Sequence, residues 1–326
     1  MLRKIVWVGI FIVALTGVRA QQDTIKHSIT GMNAQQDTIK ISKIGLPALK
    51  DTIKLLKTGA PTQHDTVKHW KTGGFSVLTF NQVSLNHWTN GGENALSTTA
   101  LLNLFANYKK AKIIWDNALD MGYGLMKNNG YRVKKNEDKL ELSSKLGYKA
   151  YKRLFYSALI NYRTQFTNGY NYPNDSVIVS TFNAPGYLTL SVGMDYKPAD
   201  FLSILISPAT GRFTMVMNKM LSDSGAYGVE RGKRVRPEFG TNFTAKFQKD
   251  VFKNINVVSK LTLFNNYTDA EKANRKNVDV YWEFMMNIKA NKFLTTTILV
   301  NVIYDQNVIA RTQVKEVLGI GLSYKF

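Results

Sequence analysis

The stretch Leu140-Glu-Leu-Ser-Ser-Lys-Leu-Gly-Tyr-Lys149 decides how the rest of the chain is read. Leu140, Leu142, Ser144, Leu146 and Tyr148 fall on one side of an extended backbone. Glu141, Ser143, Lys145, Gly147 and Lys149 fall on the other. A two-residue period makes this a strand with one dry and one wet face. The pattern returns downstream. Val278, Val280, Trp282, Phe284, Met286 and Ile288 oppose Asp279, Glu283, Asn287 and Lys289, and Leu188, Leu190, Val192, Met194 and Tyr196 oppose Thr189, Ser191, Gly193, Asp195 and Lys197.

A soluble sandwich also alternates, so three further features carry the choice of a transmembrane barrel. The strands run about ten to fourteen residues, the length of a tilted bilayer crossing rather than of an ordinary strand. Trp115, Tyr148, Tyr162, Tyr196, Tyr304 and Tyr324 stand near strand ends, where amphipathic rings meet a membrane interface. Connections alternate between short (Lys152-Arg153) and long (Thr167 to Pro185), as periplasmic turns and extracellular loops do. The spacing predicts strands at 75–87, 95–108, 112–125, 139–151, 154–166, 187–197, 201–207, 235–248, 254–265, 278–290, 293–305 and 314–326. Pro208 is expected to end the seventh, which resumes near Arg212 to Met217. The fold class is therefore all-β, an up-and-down antiparallel barrel of about twelve strands. An even count puts both chain ends on the periplasmic side of an outer membrane.

Working outward to the N-terminus, residues 1–20 read as a secretory signal: Arg3 and Lys4, an apolar run from Ile5 to Val18, then Val18-Arg19-Ala20. Residues 21–72 carry a fourteen-residue repeat, Asp23-Thr-Ile-Lys26 recurring from Asp37, Asp51 and, as Asp65-Thr-Val-Lys68, at the edge of the first strand. Too polar to build a core, it reads as a periplasmic tether, with docking of a protein partner as the functional alternative. Residues 73–326 form the barrel.

The net charge of +20 would suit nucleic acid or anionic lipid. A secreted chain with uncharged outward strand faces excludes nucleic acid and favours outer-membrane lipid. Asp116, Asp120, Glu141, Lys145, Arg163, Asp195, Glu238, Lys246, Lys260, Asp279 and Glu283 are assigned to the inner, lumen-lining face. Mixed signs there fit either a self-satisfied polar interior or a selective channel. Arg231-Gly-Lys-Arg-Val-Arg236 is the densest basic run, a solvated loop or a contact for lipopolysaccharide phosphates. Gly321, Tyr324 and Phe326 close an amphipathic last strand in the manner of the signal read by the barrel assembly machinery.

Catalytic chemistry is not foreseen, nor any metal or cofactor. There is no cysteine, and the histidines are His27, His64, His69 and His87. Ser84 and His87 would lie on opposite faces of one strand, with no third group to orient them. The loop carboxylates Asp175, Asp223 and Glu230 lack a calcium-loop spacing.

Trp70-Lys-Thr-Gly-Gly74, Phe80-Asn-Gln-Val-Ser-Leu-Asn-His-Trp88 with Gly91-Gly-Glu-Asn94, Leu205-Ile-Ser-Pro208 and Leu221-Ser-Asp-Ser-Gly-Ala-Tyr-Gly228 resemble segments of an uncharacterised outer-membrane β-barrel family of the Bacteroidota, a domain of unknown function. The resemblance implies a fold and a location and supplies no site residues. Two roles stay open: a pore for small solutes, or a non-catalytic structural or accessory subunit of a larger outer-membrane complex.

Overall fold

The structure is a computed structural model that describes residues 69–85, 93–128, 130, 132–172, 174–269 and 271–326. The expected signal segment, the repeats up to Lys68, His27, His64 and His87 lie outside them. Twelve long strands close into an antiparallel barrel: β1 (Trp70–Val83), β2 (Ala95–Lys110), β3 (Ile113–Asn128), β4 (Lys134–Tyr151), β5 (Leu154–Thr164), β8 (Gly186–Ala199), β9 (Leu202–Met215), β10 (Val235–Phe252), β11 (Ile255–Asn266), β12 (Val278–Lys289), β13 (Leu294–Asp305) and β14 (Ile309–Lys325). Between β5 and β8, the short β6 (Gly169–Tyr170) and β7 (Ile178–Ser180) pair with each other outside the barrel sheet.

Each strand hydrogen-bonds to its neighbours along the chain, and β1 closes on β14. Closure leaves no open edge, the condition for carrying strands through lipid. Two-residue turns join β2 to β3 and β4 to β5. Their first residues, Ala111 (φ 49°) and Lys152 (φ 41°), take the left-handed conformation that tight hairpins demand. These turns and both ends of the barrel, Trp70 and Lys325, share one end, called here the short-turn end. The longer connections gather at the other.

The burial is inverted relative to a soluble protein. Leu142, Leu146, Ile160, Val192, Ile206, Leu318, Ile320 and Leu322 are exposed on the outer face. Glu141, Asp195, Glu238, Asp279, Asp305 and a set of threonines and serines are buried inside. An apolar belt of this extent is untenable in water and suited to hydrocarbon.

The seventh barrel strand differs from expectation. Pro208 does not end it; β9 runs unbroken from Leu202 to Met215. The ladder absorbs the proline in a bulge: against β8 the pairing steps from Val192↔Ala209 to Met194↔Ile206, and against β10 from Gly240↔Thr210 to Asn242↔Ser207. A bulge tolerates a residue with no N–H to donate. Gly193 faces it, and a Cβ there would run into the Ile206 carbonyl oxygen. The extra residue switches the inward parity. Ser203, Leu205 and Ser207 point inward before it, and Thr210, Arg212 and Thr214 after it.

Other boundaries shift as well. β1 covers 70–83 rather than 75–87, so Ser84 lies beyond the strand and the two-face argument for Ser84 and His87 falls away. β4 starts at Lys134 and β14 at Ile309, extending the hairpins at the long-loop end. The C-terminus is held by a reciprocal pair, Gly74 N–H to the Phe326 carbonyl and Phe326 N–H to the Gly74 carbonyl, both 3.0 Å. Gly321 packs against the Leu78 backbone, and the Tyr324 and Phe326 rings stack 5.9 Å apart.

Candidate functional site in the lumen

The inner face carries three groups of charges at three heights. Nearest the short turns, Lys145 pairs with Asp195 at 2.6 Å and with Ser203 at 2.7 Å, while Lys197 reaches Asp116 at 2.5 Å. These residues sit on β3, β4, β8 and β9, one sector of the wall.

At mid-height the pairs do something different. Lys139 on β4 reaches Glu283 on β12 at 2.7 Å, and Lys260 on β11 hydrogen-bonds Glu141 on β4. Arg163 on β5 lies 3.5 Å from Glu283. In the ring of twelve, β4 and β12 are six strands apart, diametrically opposed. The side chains therefore meet across the lumen. Twelve strands about 4.8 Å apart and tilted ~40° would enclose a circle roughly 24 Å across. Extended lysine and glutamate side chains together close a gap of roughly 14 Å at most. The barrel is therefore oval at this level, its short axis running from β4–β5 to β11–β12. Asn161 donates to Glu141 at 2.8 Å and Lys139 also contacts it at 2.9 Å, so the bridge is fixed from both walls.

Above the bridge, Arg212 takes Glu238 in a bidentate grip, 2.8 Å on each oxygen, and Asp279 at 2.6 Å. Its guanidinium lies 4.2 Å over the Phe264 ring. Asp305 stands 3.9 Å away and accepts from the Tyr281 hydroxyl at 2.6 Å. Arg236 adds a 3.3 Å contact to Glu238. These groups come from β9 to β13, a continuous arc of one wall.

Between bridge and mouth lies a cavity of about 300 Å³. Glu141, Lys260 and Glu283 border it from the bridge; Arg163, Tyr187, Arg212 and Tyr281 line it; Gln165, Tyr227 and Val308 border it from the connections at the long-loop end. Tyr227 belongs to a small cap. Helix α1 (Lys219–Ser224), capped by the Asn218 side chain, packs Leu221 with Ala184, Val216 and Val229. The Pro208-to-Arg234 segment thus divides: its first part is wall, its second a cap on the mouth. Gly228 (φ 70°) sits so close to Asn307 that a Cβ would lie 2.6 Å from its carbonyl oxygen. Burial pushes the Tyr227 hydroxyl above its ordinary value, keeping it a donor; it donates a hydrogen bond to the Val179 carbonyl at 2.6 Å.

Of the residues assigned to the lumen from sequence, Glu141, Arg163, Lys260 and Glu283 come together in the bridge. Lys145, Asp195 and Asp116 form the lower group, and Glu238 and Asp279 hold Arg212. Asp120 accepts from Asn103, and Lys246 shares the register of Lys260 and Ser203. Sequence reading missed Arg212, whose parity depends on the bulge. It also left out Lys139 and Lys197, each two residues from a named acid on the same face, although Lys197 had been placed on the wet face of its strand, and Asp305, the last residue of β13. The loop carboxylates Asp175, Asp223 and Glu230 each sit in an exposed ion pair, with Arg132, Lys219 and Lys233. Among the described residues no cluster has the donors for a metal ion.

Residues 80–170 match the profile of a family described as "Protein of unknown function (DUF3078)". No curated protein matches the chain significantly. Among solved structures, the chain is similar to an outer-membrane channel from Pseudomonas putida F1 (11% identity, TM-score 0.38, covering 82% of this chain and 98% of that one). It is also similar to the NanC porin (12%, 0.37, 77% and 100%) and to the translocator domain of the autotransporter NalP from Neisseria meningitidis (8%, 0.34, 85% and 95%). Likenesses this loose carry no argument about function.

Proposed function

We propose that this chain is an outer-membrane barrel that acts as a channel for small polar solutes, with its termini in the periplasm and the mid-lumen bridge as its constriction. The observation that carries the reading is the contact of Lys139 and Lys260 with acids on the opposite wall. A barrel that needed only to be stable could satisfy its inner charges within one arc of wall, as the Arg212 group does from β9 to β13. Pulling opposite walls together narrows the passage to the gaps beside four side chains. A closed ring with an apolar belt supports the membrane setting, since exposure of that belt to water would be strongly unfavourable.

The test is planar-bilayer recording on the full chain. Wild type is expected to show small or brief conductance steps. Glu141→Gln with Glu283→Gln removes the acids that hold Lys139 and Lys260 across the lumen at nearly constant side-chain size, and should enlarge the steps several-fold. Large, steady wild-type steps that the double variant leaves unchanged would remove the bridge from the mechanism. Silence of both proteins would remove the channel.

A further inference from the structure

We infer that the 300 Å³ cavity above the bridge binds a small organic carboxylate, with Arg163 and Tyr187 as its direct contacts. The inference rests on the channel reading and names the class of solute such a channel would take.

The argument starts from which groups around the cavity are already used. Glu141 accepts from Asn161 and Lys260 and contacts Lys139. Glu283 accepts from Lys139. Asp138 accepts from Lys135 and from the Phe166 and Thr167 amides. Asp305 accepts from Tyr281 and the Asn307 amide. The carboxylates at this cavity are thus supplied with donors from the protein itself.

The groups left over are donors. A guanidinium has five N–H groups, yet the one charged contact of Arg163 among the described residues is Glu283 at 3.5 Å, longer than a good charge-assisted bond. Tyr187 is the register partner of Arg163 across the β5–β8 ladder, so the two side chains project inward together. Its hydroxyl has no hydrogen-bond partner among the described residues. Arg212, a third lining residue and 6% exposed, leaves Nη1 without a partner.

A cavity with its acids occupied and its donors free selects a ligand that brings acceptors. A carboxylate brings two charged oxygens and no donor, and matches the fork of an arginine. A neutral polyol would offer the same donors weaker, uncharged acceptors. The volume lies at the small end of ligand sites, which suits a molecule the size of one sugar or amino acid.

The experiment is isothermal titration of the full chain in detergent with glucuronate and with glucose, which differ in the carboxylate. Glucuronate should bind, and glucose should bind at least about tenfold more weakly. Arg163→Gln should weaken glucuronate about tenfold or more, the scale of one lost charge-assisted bond. Tyr187→Phe, which touches no part of the bridge and so keeps the test independent of barrel integrity, should weaken it about threefold to tenfold. Arg132→Gln at the exposed rim should leave binding unchanged. Equal binding of the two sugars, no heat with glucuronate, or wild-type affinity in both lumen variants overturns the inference. A barrel that conducts but ignores glucuronate keeps the channel and loses the site; one that binds glucuronate without conducting does the reverse.

Discussion

Two ionic groups a short distance apart in one lumen behave as opposites. The Arg212 group is drawn from a continuous arc of wall, β9 to β13, and Arg212, Glu238, Asp279 and Asp305 are all nearly buried. The mid-height bridge joins opposite walls, and Lys139, Lys260 and Glu283 each keep about a quarter of their side-chain surface exposed, 22–29%. The first is part of the wall. The second is an obstacle hung between walls. The same chemistry thus stabilises in one place and constricts in the other, and the difference lies in where the partners are anchored.

The sharpest way to break that contrast is Arg212→Met. It leaves Glu238, Asp279 and Asp305 buried without their shared cation. Breaking such a cluster from one side costs about 3–5 kcal/mol, read as a lower urea midpoint in vesicles. Adding Glu238→Gln and Asp279→Asn to the same chain should recover part of the loss, because neutral amides are cheaper to bury. By contrast, Glu283→Gln alone, at the partly exposed side of the bridge, should move the urea midpoint by no more than about 1 kcal/mol equivalent while changing conductance. If the two sets of variants lost equal stability, the division into wall and obstacle would fail. Gly193→Val falls between them: its side chain must displace the Ile206 backbone at the bulge, an overpacking cost of about 1–3 kcal/mol with conductance unchanged.

How much of this could be read from the chain depends on the range of the physics involved. Alternation is local, so Leu140 to Lys149 and Val278 to Lys289 revealed which faces are dry, and the twelve strands followed. A bulge is set by two neighbouring strands at once; nothing in Leu205-Ile-Ser-Pro208 says that Gly193 waits opposite, so Arg212 could not be assigned a face. The bridge is less legible still. Lys139 and Glu283 are 144 residues apart in sequence, and their meeting requires the barrel to flatten along one axis. No single strand encodes that. The extra length of β4 and β14 was hidden for a simpler reason: Lys134 to Glu137 and Arg311 to Gln313 are polar on both faces, as strands are once they leave the hydrocarbon.

The smallest expected effect lies at the closing seam. β1 and β14 share six register pairs, Phe75 to Phe80 against Lys325 to Ile320, while β1 and β2 share fourteen. Above Phe80, β14 is held from its other side by β13 and from within by Lys315, which reaches Glu137 on β4 at 2.5 Å and the Asn136 carbonyl at 2.7 Å. Lys315 is 41% exposed, so this pair belongs with surface ion pairs, worth up to about 1 kcal/mol and weakened by salt. Lys315→Met should therefore lower the urea midpoint slightly at low salt and not at all at high salt. Amide exchange from Val314 to Leu318 should quicken locally, because the constraint it removes acts on that strand alone. The bridge variants should show the reverse, a conductance change that persists in high salt, since partly buried pairs are screened less. Salt thus separates a pair that tidies the rim from pairs that shape the passage.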